Sequence, residues 1–519
     1  MKEKSSRGQE MESSTLSVQA PREKIALKLV RNVKRTDSRT IVVGATPSSG
    51  TVSSLLMEVQ QAAAHKMRIP LTNLRLFNTR GEELSAADQD HAEAQIRFGG
   101  TLYVSAGEPC VMDKVPDQLH DDSSKAQVVV LAKESFVDAQ ALKQLKWAAA
   151  LPGVVLGVGL PDLHVGGSCP IGATIASEGM IYPALVGSDI GCGMLLAKTS
   201  LKATAASKSR TVDRWAASLQ LEGSWDGDIS GVLAGAGVQA TPFDSDSLGT
   251  VGRGNHFAEL QIIESIEDAA LAEKLGLSSE DVYLCVHSGS RGYGESILKT
   301  HTERAGSEGI PVESPEAHDY LAAHEQACKW AQVNRSVIAT RFLEQLNDSP
   351  KDILLDITHN SVVEVEISNG DFHGKRLWLH RKGAAPSDKG PVVIPGSRGA
   401  FSYLVQPVEQ LQFENSGWSL AHGAGRVLAR SAARIGGKAR HPNSNELTTT
   451  TLGSRVVCDD KALLYEERPE AYKDAACVVA DLVSANLCTV VALLRPVLTY
   501  KMRSSQRDES TQSSGKTFK

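Results

Sequence analysis

The sequence predicts a multidomain α+β protein, with a small mixed unit near the N-terminus followed by a large α+β domain. Three observations carry this. Residues 24–107 read as strand, strand, helix, strand, strand. From Val128 to Lys501, glycine clusters with His, Asp, Asn and Ser in short motifs between ordinary strands and helices. The chain of 519 residues, at roughly 100–200 per domain, has room for two to four domains.

Composition sets the outer limits. A hydrophobic fraction of 41% excludes a wholly disordered chain. No run of about 18 uncharged apolar residues occurs, which excludes an apolar membrane-spanning helix. The opening MKEKSSRGQEMESS has no apolar stretch of a secretory signal. Cys110, Cys169, Cys192, Cys285, Cys328, Cys458, Cys477 and Cys488 are scattered, as expected of a reducing, cytoplasmic compartment where a special cysteine is a ligand or nucleophile. Net charge −6 makes no global case for nucleic acid, so any RNA groove must be local.

The elements follow in order. Residues 1–23 are polar and predict a disordered tail. KIALKLVRN alternates Ile25, Leu27 and Leu29 with polar residues, as a half-buried strand does, and RTIVVGA follows after a polar turn. Val52, Leu55, Leu56 and Val59 recur at helical spacing; NLRLF and GGTLYVSAG close the unit as strands. This order suggests a β-grasp over 24–107. VMDKVPDQLHDDSS lies in a polar linker, 108–127, and the ligand-bearing domain spans 128–501 before a second polar tail, 502–519. Two helices stand out in the large domain, Val137–Ala150 and Ala475–Leu494, the latter with a broad apolar face.

Five motifs hold polar residues that a core would not choose: LPDLHVGGSCPIG (Asp162, His164), GSDIGCG (Asp189, Cys192), GRGNHFAEL (Asn255, His256, Glu259), VHSGSRGYG (His287, Ser288, Arg291) and DITHNS (His359, Asn360). With His422 of SLAHGAGR, they hold five of the chain's 14 histidines. Asp, Cys and imidazole together suit a borderline-soft divalent ion, and one thiolate can bridge two such ions. A buried, hydrogen-bonded residue explains a lone histidine better, but it does not explain the set. The other cysteines read as plain core, with Cys169 the sole further ligand candidate. VVIPGSRGAFS offers Ser397 and Ser402 on a glycine-rich turn. HGAGR places His422 before a turn expected to open a helix, with Arg426 one turn inside it and the helix N-terminus facing an anion.

PDLH-x-G, DIGCG, GNHF-x-E, HSGSR, HN, HRKGA, PGSRG, HGAGR and EAYKD stand in the order seen in the RtcB family of RNA ligases, which the domain from Val128 to Lys501 resembles. The wording of GSDIGCGM, GTVGRGNHFAEL and SLAHGAGR is similar to the shorter subgroup associated with peptide release factor H. The chain departs from most of the family at Gly191, where Asn is common, at Ala421, where Cys is usual, and in a shorter Cys192–Asn255 interval. These departures spare every ligand position.

The resemblance implies a GTP-dependent ligase with two manganese ions. Asp189, Cys192 and His256 would hold one ion; Cys192, His287 and His359 would hold the other. His422 would be the nucleophile that forms a guanylyl-histidine, with Asp162 and Arg291 as further catalytic residues. The nucleotide site would draw on Asn255, His256, Phe257, Ala258, Glu259, His359, Asn360, Pro395, Gly396, Ser397, Arg398, Ser402, His422, Gly423, Ala424, Gly425, Arg426, Tyr472 and Lys501. Arg291 and Arg426 would contact RNA or triphosphate. The substrate would be RNA bearing a 3′-phosphate or 2′,3′-cyclic phosphate and a 5′-hydroxyl end, in repair or tRNA splicing, with an archease-like activator as a further partner.

The rival readings are a dinuclear metal phosphoesterase using the same ligands, and a cytoskeletal adaptor whose ligase domain is an inactive scaffold. The N-terminal unit, with its closing GGTLYVSAGEP, resembles a doublecortin-like domain, ubiquitin-like being the competitor. Between Arg22 and Arg39 it carries Arg22, Lys24, Lys28, Arg31, Lys34, Arg35 and Arg39 against Glu23 and Asp37. Such an edge suits a solvated face, RNA capture, or the acidic surface of tubulin and microtubules, which would place the chain on the cytoskeleton.

Overall fold

The computed structural model describes residues 23–31, 38–45, 53–77, 83–84, 96, 100–107, 126–167, 169–223, 225–305 and 309–503. Residues 1–22 of the first expected tail (1–23), 504–519 of the second (502–519), most of the linker (108–125), Cys110, Arg22, Lys34 and Arg35 lie outside these residues, as do the side chains of Lys24 and Lys28, whereas Glu23 opens a strand and Met502 ends one.

The N-terminal unit has a four-stranded sheet in the order Ser38–Ala45, Glu23–Arg31, Gly100–Ser105, Arg75–Phe77. Glu23–Arg31 pairs antiparallel with Ser38–Ala45 and parallel with Gly100–Ser105. Helix Ser53–Met67 sets Leu55, Leu56 and Val59 into one core with Leu27, Leu29, Ile41 and Val104. The 3.6 period of the helix and the 2.0 period of the strands meet on that face.

Two main sheets, with two further two-stranded ones, build the large domain. The larger runs Asp352–Thr358, Gly193–Lys202, Asp281–Ser288, Phe257–Ile266, Cys488–Met502, Ser402–Pro407 and Val392–Ile394, with Arg455–Cys458 parallel to Cys488–Met502. Its strands are buried on both faces. Met194, Leu196, Tyr283 and Cys285 share one core with Val478 and Leu482 of helix Ala475–Ser484. Leu195, Ala197, Leu284 and Val286 pack on Ile338 and Phe342 of helix Pro315–Glu344. A one-residue slip would exchange the two sets, so the register is set by which helix each side chain fits. The smaller sheet runs Asn360–Glu366, Arg376–Lys382, Ile171–Ser177, Val154–His164, Gln127–Val130.

Two sequence expectations are corrected here. The helix expected over Ala475–Leu494 stops at Ser484; Asn486 turns left-handed (φ 55°) and Cys488–Met502 continues as a strand. Val490, Val491 and Leu494 belong to a strand near the middle of the sheet, where an apolar run has no distinguishing period. A 30-residue helix, Pro315–Glu344, also escaped the periodicity reading. Ser314 caps it, its Oγ accepting from the Ala317 N–H at 3.2 Å, and Pro315 occupies the first turn. Its apolar stripe is interrupted by buried His324, Asn334, Arg335 and Arg341.

Arg335 links this helix to the motifs. Its Nε donates to Asp356 Oδ1 at 2.7 Å, and its Nη1 donates to the carbonyls of Gly191 (2.7 Å) and Ser288 (3.0 Å). Arg335→Met should therefore leave one carboxylate and two carbonyls unpaired and destabilise the fold by about 3 kcal/mol or more, read as a lowered urea midpoint. A midpoint within error of the parent would refute this.

Candidate active site

Strand register explains why distant motifs meet. Gly193 pairs with Ser288 on one side and Thr358 on the other, while His287 pairs with Phe257. Three neighbouring strand ends therefore bring Cys192, His287 and His256 together. His359 is the single residue between Asp352–Thr358 of the large sheet and Asn360–Glu366 of the small one, and its N–H donates to Cys192 O at 2.8 Å. Ala384–Pro386 pairs with Ser419–Ala421, and the Ala384 N–H donates to His359 O at 3.0 Å. That places His422 against His359, with ring centroids 4.7 Å apart.

The donor atoms converge. Cys192 Sγ lies 3.3 Å from His256 Nε2 and 3.2 Å from His287 Nε2; His287 Nε2 is 3.3 Å from His359 Nε2. Asp189 Oδ2 is 2.8 Å from His256 Nε2, and its buried Oδ1 has no hydrogen-bond partner. Burial, with Asp189 next, pushes the Cys192 thiol well above its ordinary value. Burial likewise holds His287 and His359 well below theirs, so both are neutral imidazoles at neutral pH, each with one ring lone pair to offer. Burial raises Asp189, but His256 and Arg291 outweigh it and keep the carboxyl ionised. One thiol, three imidazoles and an underused carboxylate fit divalent ions. Cys192, His256 and His287 alone already meet the spacing for one ion.

Cys169 stands apart from this cluster. Its Sγ donates to Ala184 O at 2.9 Å and accepts from Lys382 Nζ at 3.0 Å. Gly191 shows why a side chain is absent there: at φ 77° a Cβ would stand 2.8 Å from Ala331 Cβ and 2.9 Å from Cys328 Cα on the long helix.

His422 is held by Asp162, whose carboxylate is fully buried. Nδ1 lies 2.6 Å from Asp162 Oδ2, and the His422 N–H donates to the same oxygen at 3.3 Å. An ionised carboxylate only accepts, so this contact suits the tautomer with the proton on Nδ1 and the lone pair on Nε2. His164, two residues from Asp162, sets its Nδ1 2.8 Å from Asp162 O; burial lowers its pKa to about 3, so it is neutral.

Beside His422 opens a cavity of about 1230 Å³, lined by Asn255, Phe257, Glu259, Pro395–Arg398, Gly423–Ala432, Tyr472 and Lys501, with Leu102 and Tyr103 of the N-terminal unit. Its volume exceeds the ~300–1,000 Å³ of ordinary small-molecule pockets. Glu259 accepts from Thr499 Oγ1 at 2.5 Å and Gln261 Nε2 at 2.8 Å, yet burial still raises its pKa. Burial pulls Lys501 to about 8, against the pull of Glu467.

Several expected residues sit differently. Ala258 faces away, into the core with Leu260 and Val286, because alternation along its strand aims only Phe257 and Glu259 at the cavity. Ser402 lies off the cavity lining, accepting from Gln261 Nε2 at 2.9 Å. Asn360 also lies off it, donating to Asp189 O (3.1 Å) and accepting from the Gly383 N–H (2.7 Å). Arg291 is on the Asp189 side, over Gly252, its buried Nε unpaired.

The turn after His422 does not open a helix. Gly425 adopts φ 73°, Arg426 bridges to Tyr472, and the helix starts at Arg430. Arg426 donates to Glu467 Oε1 (3.0 Å), Tyr472 Oη (3.1 Å), Glu466 O (2.8 Å) and Leu428 O (3.1 Å), so it braces the wall rather than reaching out. Sequence reasoning missed Thr499, Glu467 and Lys473; EAYKD was the signal for the last, but only its tyrosine was read.

Comparison with known proteins adds the following. The family model described as tRNA-splicing ligase RtcB matches residues 144–226 and 226–502. The RNA-splicing ligase RtcB2 of Escherichia coli is 44% identical over 383 residues, covering 73% of this chain and 96% of the relative. The tRNA-splicing ligase RtcB of Archaeoglobus fulgidus is 29% identical over 443 residues, 70% of this chain and 91% of the relative. The RNA-splicing ligase RtcB of Mycobacterium tuberculosis is 30% identical over 434 residues, 67% and 98%. No described helix is long and apolar enough to cross a membrane.

Proposed function

The chain belongs to the RtcB family, and on that premise we propose that it is a GTP- and manganese-dependent RNA ligase joining a 3′-phosphate or 2′,3′-cyclic phosphate end to a 5′-hydroxyl end. One observation carries the reading: His422, oriented through Nδ1 by a buried carboxylate, stands in ring contact with a Cys–His cluster suited to divalent ions.

Asp189, Cys192 and His256 would hold one ion, and Cys192, His287 and His359 the other. Bound there, the ions would neutralise charge developing on phosphate oxygens. Asp162 holds Nδ1 and leaves Nε2 free to attack the α-phosphate of GTP, the N–P bond forming as the α–β P–O bond breaks and pyrophosphate leaves. Phe257, Glu259, Ser397 and Lys501, all on the cavity wall, would receive the guanosine. Purified protein incubated with labelled GTP and manganese should yield an acid-labile covalent adduct. A phosphoesterase or an inactive scaffold would trap none, and absence of the adduct would overturn the ligase reading.

A second observation concerns the N-terminal unit. Its strand order supports a β-grasp, compatible with the doublecortin-like resemblance. Strand Glu23–Arg31 lies against helix Arg430–Arg440, and Leu102 and Tyr103 reach the cavity. This position favours RNA capture over tubulin contact. Removing residues 1–125 should leave adduct formation unchanged and raise the KM for RNA about tenfold, or about 1.4 kcal/mol of binding. Salt-sensitive co-sedimentation of the full chain with microtubules, together with an unchanged KM, would instead support the cytoskeletal role.

A further inference from the structure

We propose that Lys473 is a positioning residue for the nucleophile, fixing Asp162 and through it His422. The proposal rests on the reading of His422 given above and deepens it.

The carboxylate of Asp162 has little of its own to hold it. Oδ2 meets only His422, and Oδ1 is buried without a hydrogen-bond partner. Its direction is therefore set by its backbone, and Lys473 holds that backbone from both sides. Lys473 Nζ donates to Pro161 O at 2.7 Å and to Leu163 O at 2.8 Å, the carbonyls flanking Asp162. In a strand those two carbonyls point the same way and the one between them points oppositely. Asp162 O does face elsewhere, toward His164 Nδ1 at 2.8 Å.

The same lysine also fixes the other half of the pair. Its backbone N–H donates to Gly425 O at 2.9 Å, within the turn that follows His422. A Cβ on Gly425 would run into Asp162 O, so that turn lies directly on the Asp162 backbone. One residue thus ties the strand bearing the carboxylate to the turn bearing the imidazole.

The lysine is sealed in the same place as the carboxylate it positions. Lys473 is itself only 8% exposed, and burial lowers its pKa to about 8 against the pull of Asp162.

Because Lys473 also borders the cavity, direct contact with GTP phosphates is the competing role, and the two separate kinetically. In single-turnover adduct formation, Lys473→Met should lower the maximal rate about 100-fold, with half-saturating GTP changed less than about twofold. Lys473→Arg should recover part of that loss. In an Asp162→Asn background, Lys473→Met should cost less than about threefold more, since both act through one carboxylate. A tenfold rise in half-saturating GTP at an unchanged maximal rate, or full additivity with Asp162→Asn, would overturn the proposal. If Lys473→Met does not fold, Lys473→Gln, which keeps a donor without the charge, is judged by the same two criteria.

A readout independent of turnover is the exchange-protected Nδ1 proton of His422 seen by NMR. It should be present in the parent and absent from both Asp162→Asn and Lys473→Met; its persistence in Lys473→Met would overturn the proposal. A parent that shows this proton but forms no GMP adduct would refute the ligase reading and leave the positioning role standing.

Discussion

His422→Ala is expected to abolish both the GMP adduct and RNA ligation. The expectation is absolute because a covalent intermediate on nitrogen has no substitute once the ring is gone. Among the described residues, His164 is the other cavity-lining histidine outside the ligand cluster, but its Nδ1 is turned to the Asp162 carbonyl rather than to a carboxylate. The substitution leaves buried Asp162 with only the backbone N–H of residue 422, at 3.3 Å, and loss of the ring contact costs about 1–3 kcal/mol, visible as a lowered melting temperature in a folded protein. Metal content should be unchanged, since His422 is not among the proposed ligands. An adduct persisting in this variant, mapped to another residue, would sink the assignment.

The site was more legible in the sequence than the frame that builds it. The short motifs are readable because glycine, histidine and aspartate are conspicuous where a strand ends, and register then brings those ends together without further instruction. What could not be read was which face each residue would take. Ala258 stands between Phe257 and Glu259 in one motif, yet the pleat turns it into the core. Arg426 belongs to HGAGR, yet acidic partners around Glu467, far along the chain, claim its donors. Pro315–Glu344 stayed hidden because a helix that buries two arginines, a histidine and an asparagine loses its amphipathic stripe. The strand Cys488–Met502 was absorbed into a helix for the opposite reason, being apolar on both faces. In each case tertiary context, which no local window contains, decided the outcome.

Cys192→Ala should remove metal and activity together. Its thiol is the one donor common to both proposed ion sites, within 3.3 Å of His256 Nε2 and 3.2 Å of His287 Nε2. Loss of even an outer partner of a ligand typically costs 10–100-fold, so loss of a shared ligand should lower activity by more than about 100-fold. At least one of the two expected ions should be lost from the purified protein. Cys488→Ala, whose sulfur is buried in the core away from the cluster, should retain both ions and activity.

The pH dependence gives an independent check. Burial, then Asp189, holds the Cys192 thiol well above its ordinary value, while burial leaves His287 and His359 neutral. Near pH 7 an entering ion therefore displaces a proton from sulfur but none from these imidazoles. Binding that releases a proton is weakened as pH falls, so manganese affinity should rise by about one decade per pH unit in the parent. Any ion still bound by Cys192→Ala has no thiol proton to displace, and the slope should flatten toward zero. Two ions retained at parental affinity, or an unchanged slope in the alanine variant, would show that the thiolate is not the bridge.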